Sequence, residues 1–213
     1  DAGQQDAHEG LCMFLDALET IPEIIYLFKH RYRTRIFCNM CREWVVDKYE
    51  TNLTFEVQPN LKNEQHESFK YIDSQYDKTM SLNEFIRMQN TYVDESFTCP
   101  NKLCQKKCVK FRQTTLTMVP EILPILIKKY DKKIATDFPN CLEFQSLNSD
   151  KKIIYNLVAQ CEHSGGQFGG HYWAVCLRYE NNQAKWVVCN DSSVSQGSPG
   201  PTDNSYILFY HSA

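Results

Sequence analysis

Two groups of cysteines constrain the fold of this chain more than any other feature. Cys38 and Cys41 form a C-x2-C pair in RIFCNMCREW, between two segments that alternate like β-strands. A tight turn of this kind presents two thiolates on one side, which suits tetrahedral zinc, and a structural zinc needs two more ligands. We expect Cys99 and Cys104, because Cys99 ends a strand opposite the first turn. The alternatives are Cys108 in place of Cys104, or buried cysteines that bind no metal.

The separation of the two cysteine groups indicates what such a site does. The interval from Cys41 to Cys99 is longer than in a simple zinc ribbon, so the metal would join two hairpins separated by an insertion. Four protein ligands leave no open position for a reacting molecule. The predicted cofactor is therefore a structural Zn²⁺ ion.

Charge and hydropathy exclude several classes of protein. The 213 residues are 42% hydrophobic, enough for a packed core, and 23 basic against 26 acidic residues argue against a nucleic-acid surface. The polar, acidic start DAGQQDAHEG is not a secretory signal, and apolar stretches such as Ile122–Ile127 are too short to span a bilayer. Ten cysteines without a leader favour a reducing compartment, so we expect an intracellular protein of the cytoplasm, the nucleus or both, without membrane contact.

Hydrophobic periodicity predicts an α+β architecture. An apolar face over residues 4–18 predicts one amphipathic helix, and S-L-N-E at 81–84 has the form of a second helix start after a polar loop over 60–80. Most other segments alternate like strands, and the last third predicts consecutive antiparallel pairing. Pro124 interrupts one strand, where we expect a bulge or a sheet edge.

The segment 161–194 contains the residues best suited to catalysis. His171 opens a predicted strand directly after Gly169 and Gly170, and Asn190 and Asp191 follow the next strand, a hairpin away. A side-chain oxygen there could accept the Nδ1 proton of His171 and direct the other ring nitrogen at a thiol, as in a nucleophile–base–orienter triad. A single histidine is more often structural than catalytic, so these residues alone leave both interpretations open.

The ordered set of motifs resembles the ubiquitin-specific proteases. GGHYWAV, the W-x-x-C-N-D-S-S-V segment and YILFY are similar to the family's histidine box, and QQDAHE is similar to its glutamine box. LFKHRYRTRIFCNMC resembles the entry into the fingers subdomain, and VPEILPILIKKYD resembles the strand that follows the fingers. The blocks occur in family order and cover nearly the whole chain.

The resemblance implies a papain-like cysteine protease fold in one catalytic domain. A partial thumb would occupy residues 1–20, zinc-binding fingers 21–118 and an antiparallel β palm 119–213. It implies a deubiquitinating thiol protease that cleaves the peptide or isopeptide bond after the C-terminal glycine of ubiquitin. His171 falls on the general base, Asn190 on the orienting position, and Asp191 on an acidic position that assists it.

The resemblance also implies a site for the tail of the partner, ubiquitin. Asp6 and Glu9 fall on acidic positions expected to meet the arginines of that tail, which suits carboxylate–guanidinium recognition. The alternative is an exposed face of the first helix. Gly169, Gly170 and Tyr172 fall on the wall of the narrow channel that admits the Gly-Gly end, and residues 163–168 would form a mobile loop over it.

The family's cysteine box is absent, and none of the ten cysteines stands in such a context. One interpretation places the nucleophile upstream of Asp1. A second is a catalytically inactive pseudo-protease that binds ubiquitin as an interaction module. A third is a zinc-stapled structural domain without ubiquitin contact.

Overall fold

The computed structural model describes residues 6–57, 79–81, 92–128, 138–145, 152–166 and 169–213. This part of the chain forms two helices and thirteen strands, which confirms the α+β class with a strong predominance of strands. The helices are α1 (Ala7–Ala17) and α2 (Pro22–Phe28). The strands are β1 (His30–Cys38), β2 (Glu43–Asn52), β3 (Phe55–Val57), β4 (Thr79–Ser81), β5 (Tyr92–Thr98), β6 (Lys107–Met118), β7 (Ile122–Ile127), β8 (Cys141–Gln145), β9 (Lys152–Gly166), β10 (Gly169–Glu180), β11 (Gln183–Asn190), β12 (Ser193–Gln196) and β13 (Ser205–Ser212).

The helical start of the chain differs from the prediction in extent and number. α1 begins after Asp6, whose side chain caps it by accepting hydrogen bonds from the backbone N–H groups of His8 and Glu9. Hydrophobic periodicity did not indicate α2, which has Pro22 in its first turn, where the missing N–H breaks no helical hydrogen bond. Neither helix is long enough to cross a bilayer, and no helix among the described residues qualifies as a membrane span.

The first sheet has four antiparallel strands in the order β2-β1-β6-β5. All four strands were predicted from alternation. The turn between β1 and β2 brings Cys38 opposite Glu43, and β5 ends directly before Cys99. The two cysteine groups therefore lie at the same end of this sheet.

The second sheet has nine strands, and its order corrects the predicted meander. The path runs β12-β11-β10-β9-β13-β7-β3, with β8 against β9 and β4 against β8. Strands β9 to β12 do pair consecutively, but β13 lies between β9 and β7. Since Ser205–Tyr210 are all buried or half-buried, β13 is covered on both faces and fits the middle of a sheet rather than its edge.

The main core lies against this second sheet. Its buried members include Leu123, Ile125, Tyr155, Leu208 and Tyr210, and burial of each leucine or isoleucine side chain contributes roughly 1.5–3 kcal/mol. This core holds β9, β7 and β13 in place, and β10 with the candidate site lies directly beside β9.

Pro124 causes no bulge. The β7–β13 register runs through the Pro124–Phe209 pair without a shift, and β3 pairs with β7 only from Ile125 onward. Pro124 therefore lies outside the stretch of β7 that has β3 as a neighbour, which fits the predicted edge position and contradicts the predicted bulge.

Two other predictions fall mostly outside the described residues. The helix expected after Ser81 would occupy residues 82–91, and the loop expected over 60–80 is described only at its end. Thr79–Ser81 form β4, so Ser81 belongs to a strand that pairs in parallel with β8.

Candidate functional site

The four predicted cysteines lie together at the tip of the four-stranded sheet. The Sγ atoms of Cys38, Cys41, Cys99 and Cys104 all lie within 4.8 Å of one another. The structure brings Cys104 into this cluster, whereas the side chain of Cys108 on β6 lies outside the described part of the chain. The cluster could hold a metal ion.

Two similar turns present these thiols. Arg42 directly follows Cys41 and has φ 57°, and Gln105 directly follows Cys104 and has φ 47°. The side chain of Asn101 joins the turns by donating a hydrogen bond of 2.9 Å to Glu43 Oε2. Each turn thus reverses the chain immediately after its second cysteine, which directs both thiol pairs toward a common centre.

The geometry and burial of the cluster fit a tetrahedral ion. With Zn–S bonds of about 2.3 Å, the sulfurs of a tetrahedral site lie about 3.8 Å apart. The Sγ atoms of Cys41 and Cys99 lie 3.8 Å apart. Cys38 and Cys99 are buried, and burial raises the pKa of the Cys99 thiol to about 12. A cation bound at the cluster would favour the thiolate form of Cys99, because metal binding to cysteine releases the thiol proton.

The second part of the site lies in the nine-stranded sheet, where β10 and β11 position His171 and Asn190. The Nε2 atom of His171 lies 2.6 Å from Oδ1 of Asn190. Since an amide oxygen only accepts hydrogen bonds, Nε2 must carry the proton. This bond fixes the tautomer and directs Nδ1, with its lone pair, away from Asn190.

The prediction that Nδ1 carries this hydrogen bond was therefore wrong. The orienting residue contacts Nε2, and no described residue forms a hydrogen bond with Nδ1 of His171. The nearest carboxylate oxygen belongs to Asp191, 3.9 Å from Nε2, and that side chain is 80% exposed. Trp173 stacks near the imidazole, with ring centroids 5.9 Å apart and planes at 23°. His171 is thus held by one short bond and one ring while its side chain is 45% exposed.

The glycines beside His171 form part of a hairpin. Gly170 lies opposite Gly165, and a side chain at Gly170 would strike the His163 ring and the backbone of Ser164. Gly165 has φ 146°, and a side chain there would strike Gly170. The two glycines therefore let β9 and β10 approach closely beside the histidine.

The predicted mobile loop over 163–168 is contradicted for its first four residues, which form the end of β9. Residues 167–168 lie outside the described residues. Gly169 differs from Gly170, because no described residue beyond its chain neighbours lies within 4 Å of the position that a side chain at Gly169 would occupy. An open face therefore remains at Gly169, directly before the site.

Asp6 joins α1 to the nine-stranded sheet. Its carboxylate accepts hydrogen bonds from the hydroxyls of Tyr206 at 2.6 Å and Tyr172 at 3.3 Å, besides the two backbone bonds at the helix start. Burial favours the neutral acid, but the bonds from Tyr206, Glu9, His8 and Tyr172 outweigh it and lower the pKa of Asp6. The sequence carried a signal for the cap in the Asp-x-x-Glu spacing of Asp6 and Glu9.

The remaining predicted tail-binding residues occupy different surroundings. Glu9 is exposed on α1, and Tyr172 stacks on His163 with ring centroids 4.3 Å apart. Asp6, Tyr172 and the His171 strand therefore lie close together, since Tyr172 follows His171 in β10.

Sequence reasoning missed a buried polar network behind this strand pair. Glu162 on β9 is buried and accepts hydrogen bonds from Thr202 Oγ1 at 2.5 Å and Ser205 Oγ at 3.2 Å. Gln160 binds the backbone of Gly200 through both its amide nitrogen and its amide oxygen. The network fastens the segment before β13 to β9. Only the inward position of Glu162 in a strand of alternating burial could have indicated it.

The described cysteines offer no nucleophile to His171. None forms a hydrogen bond with its ring. The Sγ atom of Cys12 lies 3.6 Å from Nε2 of His8, and burial raises the pKa of the Cys12 thiol. Burial likewise raises the pKa of Cys161 to about 12. This agrees with the absence of a cysteine box from the sequence.

The sequence of this chain is similar to a protein family and to several known proteins. The family model described as "Ubiquitin carboxyl-terminal hydrolase" matches residues 1–210. Ubiquitin carboxyl-terminal hydrolase 2 of Bos taurus is 34% identical over 134 residues, covering 56% of this chain and 21% of that protein. Ubiquitin carboxyl-terminal hydrolase 5 of Saccharomyces cerevisiae is 25% identical over 220 residues, covering 91% of this chain and 25% of that protein. The chain thus spans a fifth to a quarter of the length of these relatives.

Solved structures show the same fold. The Ubp8/Sgf11/Sus1/Sgf73 DUB module of SAGA bound to ubiquitin aldehyde matches with a TM-score of 0.66 and 18% identity, over 99% of this chain and 50% of that one. The related module bound to monoubiquitin matches with a TM-score of 0.65 and 19% identity, over 99% and 49% of the two chains. The two sheets therefore share the fold of these solved chains, and this chain covers about half the length of each.

Proposed function

This chain belongs to the ubiquitin carboxyl-terminal hydrolase family, whose members are cysteine deubiquitinases, and on that premise we propose that it is the histidine-bearing part of such an enzyme. The proposed reaction is hydrolysis of the peptide or isopeptide bond after the C-terminal glycine of ubiquitin. Ubiquitin or ubiquitinated proteins are the proposed substrates, and the nucleophilic cysteine is proposed to lie upstream of Asp1.

The observation that carries this proposal is the 2.6 Å bond between His171 Nε2 and Asn190 Oδ1. It joins adjacent strands and leaves Nδ1 available to a thiol. A histidine oriented by an amide oxygen is the base half of a thiol protease triad.

In the proposed mechanism, Nδ1 of His171 takes the proton of the cysteine thiol, giving a thiolate and an imidazolium. Asn190 accepts the Nε2–H bond throughout, and Asp191 stabilises the positive charge from 3.9 Å. The thiolate attacks the carbonyl of the last ubiquitin glycine. His171 then protonates the leaving amine and later takes a proton from the water that hydrolyses the thioester.

The proposed path of the ubiquitin tail passes Gly169, Gly170 and Tyr172. The open space at Gly169 supports a backbone approach there, whereas Gly170 is filled by the His163 ring. Asp6 and Glu9 are proposed to bind the arginines of the tail. The exposed Glu9 is the better placed, since the Asp6 carboxylate already accepts four hydrogen bonds.

The proposed metal is Zn²⁺, held by Cys38, Cys41, Cys99 and Cys104. When bound it would supply structural cross-linking between the two turns, with no open position for catalysis. We propose an intracellular location in the cytoplasm, the nucleus or both, which suits nine described cysteines that form no disulfide.

The test is intact mass of the full-length protein after treatment with ubiquitin bearing a C-terminal thiol-reactive group. The expected result is one adduct, mapped by peptide mass spectrometry to a cysteine upstream of Asp1 and lost on mutation of that cysteine to serine. An adduct on a cysteine of this chain would overturn the assignment of the nucleophile. Ubiquitin bound without any adduct would instead support the inactive ubiquitin-binding pseudo-protease.

A further inference from the structure

Two cysteine thiols meet on the hairpin that carries His171 and Asn190. The Sγ atom of Cys176 on β10 lies 3.8 Å from the Sγ atom of Cys189 on β11. Cys189 lies opposite Ala174, two residues before Cys176 in β10, so the two thiols are diagonal neighbours on one face of the sheet. His171 and Asn190 point to the other face, because side chains alternate along each strand. The thiol pair therefore lies on the reverse of the hairpin, one residue from Asn190.

A third cysteine lies near this pair but contacts neither sulfur. Cys161 on β9 is the other diagonal neighbour of Cys176, because it lies opposite Ala174 from the β9 side. Its Sγ atom contacts the backbone oxygen of Glu162 at 3.9 Å instead of a second sulfur. The described residues bring three or more potential metal ligands together only at the tip cluster. Cys176 and Cys189 are thus two thiols in contact without the further ligands that a metal site needs.

The two thiols differ in their access to solvent. Cys176 is 7% exposed, and burial raises the pKa of its thiol. Cys189 is half-buried, so a small oxidant reaches its sulfur first. A sulfenic acid formed there would lie in contact with the Cys176 thiol, and a thiol condenses with a sulfenic acid to give a disulfide. The contact therefore favours this reversible product over further oxidation of Cys189.

We propose that Cys176 and Cys189 form a reversible disulfide when the protein meets a hydroperoxide. The Cys189 sulfur attacks one peroxide oxygen, the O–O bond breaks, and the thiol proton leaves with the other oxygen as water or an alcohol. The Cys176 sulfur then attacks the Cys189 sulfur, the S–O bond breaks, and water leaves with the second thiol proton. With hydrogen peroxide, two thiols lose two electrons and give one disulfide and two waters. A dithiol reductant reverses the reaction by thiol–disulfide exchange.

The disulfide should also slow catalysis, an effect that rests on the proposed function. Diagonal neighbours on antiparallel strands have Cα atoms about 7–8 Å apart, whereas those of a disulfide lie at most about 6.8 Å apart. Bond formation must therefore draw Cys176 and Cys189 together by up to about 1 Å. Asn190 directly follows Cys189, and its bond to His171 is 2.6 Å long. A shift of this size lengthens that bond beyond the usual limit of about 3.2 Å.

The test treats the reduced full-length protein with hydrogen peroxide, alkylates the remaining thiols and maps the tryptic peptides by mass spectrometry. Trypsin cleaves after Arg178 and Lys185, so the disulfide joins two separate peptides that dithiothreitol must release. The expected result is a cross-link between Cys176 and Cys189 that is absent from Cys189→Ala. The matched control is Cys161→Ser, which removes the other diagonal thiol and should keep the cross-link.

The wild-type peptide map decides the proposal even if Cys189→Ala does not fold. No cross-link after peroxide treatment, or a cross-link from Cys161 in place of Cys189, would overturn it. Oxidation of Cys189 to a sulfinic or sulfonic acid without a cross-link would overturn it as well, because those products are not reversed by dithiothreitol.

A second readout is the rate of reaction with the thiol-reactive ubiquitin probe. The oxidised wild type should react about tenfold more slowly, as expected for the loss of one hydrogen bond, and dithiothreitol should restore the rate. Cys176→Ala reports the part of the loss that comes from oxidation of the nucleophile itself, so its loss should be smaller. Equal losses would overturn the effect on catalysis. A reduced wild type that does not react with the probe would reject the proposed function, whereas the peptide map alone decides the disulfide.

Discussion

The tip of the four-stranded sheet and the histidine end of the nine-stranded sheet hold their side chains by different means. At the tip, the buried cluster consists of Cys38 and Cys99, and the described side chains packed against it are the half-buried Cys41, Val45, Phe97 and Cys104. His171 instead lies on a strand beside β9, which contributes Tyr155 and Leu157 to the main core, and the His171 side chain is held by one hydrogen bond and one stacked ring. The described part of the tip is therefore organised around four clustered thiols, whereas the histidine depends on packing some distance away.

Removal of one thiol at the tip should have the largest effect. Cys104→Ser should abolish zinc binding and unfold the tip, because a structural zinc site of this kind supplies about 10 kcal/mol of folding free energy. Metal content by mass spectrometry and protease cleavage within residues 31–118 measure this. Cys108→Ser is the matched control and should keep both the metal and the protection. Loss of the metal and of protection in Cys108→Ser but not in Cys104→Ser would make Cys108 the fourth ligand.

At the histidine end, His171→Ala should remove activity without disturbing the fold. We expect kcat/KM for a ubiquitin substrate to fall on the order of 10⁴-fold, since general acid–base catalysis is lost. Asn190→Ala should cost roughly 10- to 150-fold, the equivalent of one hydrogen bond to a charged group. Ubiquitin affinity and melting temperature should stay near the wild-type values. Preserved hydrolysis by His171→Ala would reject the assignment of the general base.

The stability of the protein should depend on pH through a buried histidine where the two sheets meet. His30 begins β1, is buried among Tyr32 and Phe55, and its Nε2 has no hydrogen bond to a described residue. Burial lowers the pKa of His30 from 6.5 to about 4. The unfolded chain therefore binds the proton more readily, so stability is full above pH 6.5 and falls as the pH drops toward 4, by about 3 kcal/mol.

Urea unfolding at several pH values measures this loss. His30→Phe should remove the part of the decline between pH 6.5 and 4 that belongs to this residue. His211→Gln is the control, because His211 lies half-exposed on β13, and it should leave the decline in place. An unchanged decline in His30→Phe would show that another group causes it.

The smallest effect should occur where α1 meets the nine-stranded sheet. Tyr206→Phe removes the 2.6 Å bond to Asp6, so we expect a loss of about 1.5 kcal/mol in the free energy of unfolding and a rise in the pKa of Asp6. Tyr172→Phe removes a bond of 3.3 Å and should change both quantities less. Denaturant unfolding and NMR titration of Asp6 measure them. A larger effect of Tyr172→Phe would place the main support of Asp6 on the His171 strand.

Local patterns in the sequence were sufficient for much of the fold. Alternation located ten of the thirteen described strands but not the short β4, β8 and β12. Each cysteine pair of the cluster was recognised from residues only a few positions apart. The position of β13 between β9 and β7 was missed, since strand order depends on which surfaces remain to be covered. α2 was missed because seven residues are too few for a clear helical period.

The candidate site also has features that local sequence patterns predicted and features that they did not. The spacing around the hairpin predicted that the side chain of Asn190 or Asp191 could lie beside His171, because β10 and β11 are consecutive and their register is local. The sequence could not determine which ring nitrogen the amide contacts, since that depends on the rotamer of His171 against Trp173. The role of Asp6 in joining α1 to Tyr206 was equally hidden, as those residues lie 200 positions apart.

The sequence by itself determined most of the strands, helix α1, the two cysteine pairs and the hairpin that brings a side-chain oxygen near His171, because short-range periodicity and spacing encode them. Only the tertiary structure decided the order of the nine-stranded sheet and the orientation of the imidazole. Those features depend on which distant surfaces pack together. That packing is selected by the burial of the whole core, and no single segment of the sequence encodes it.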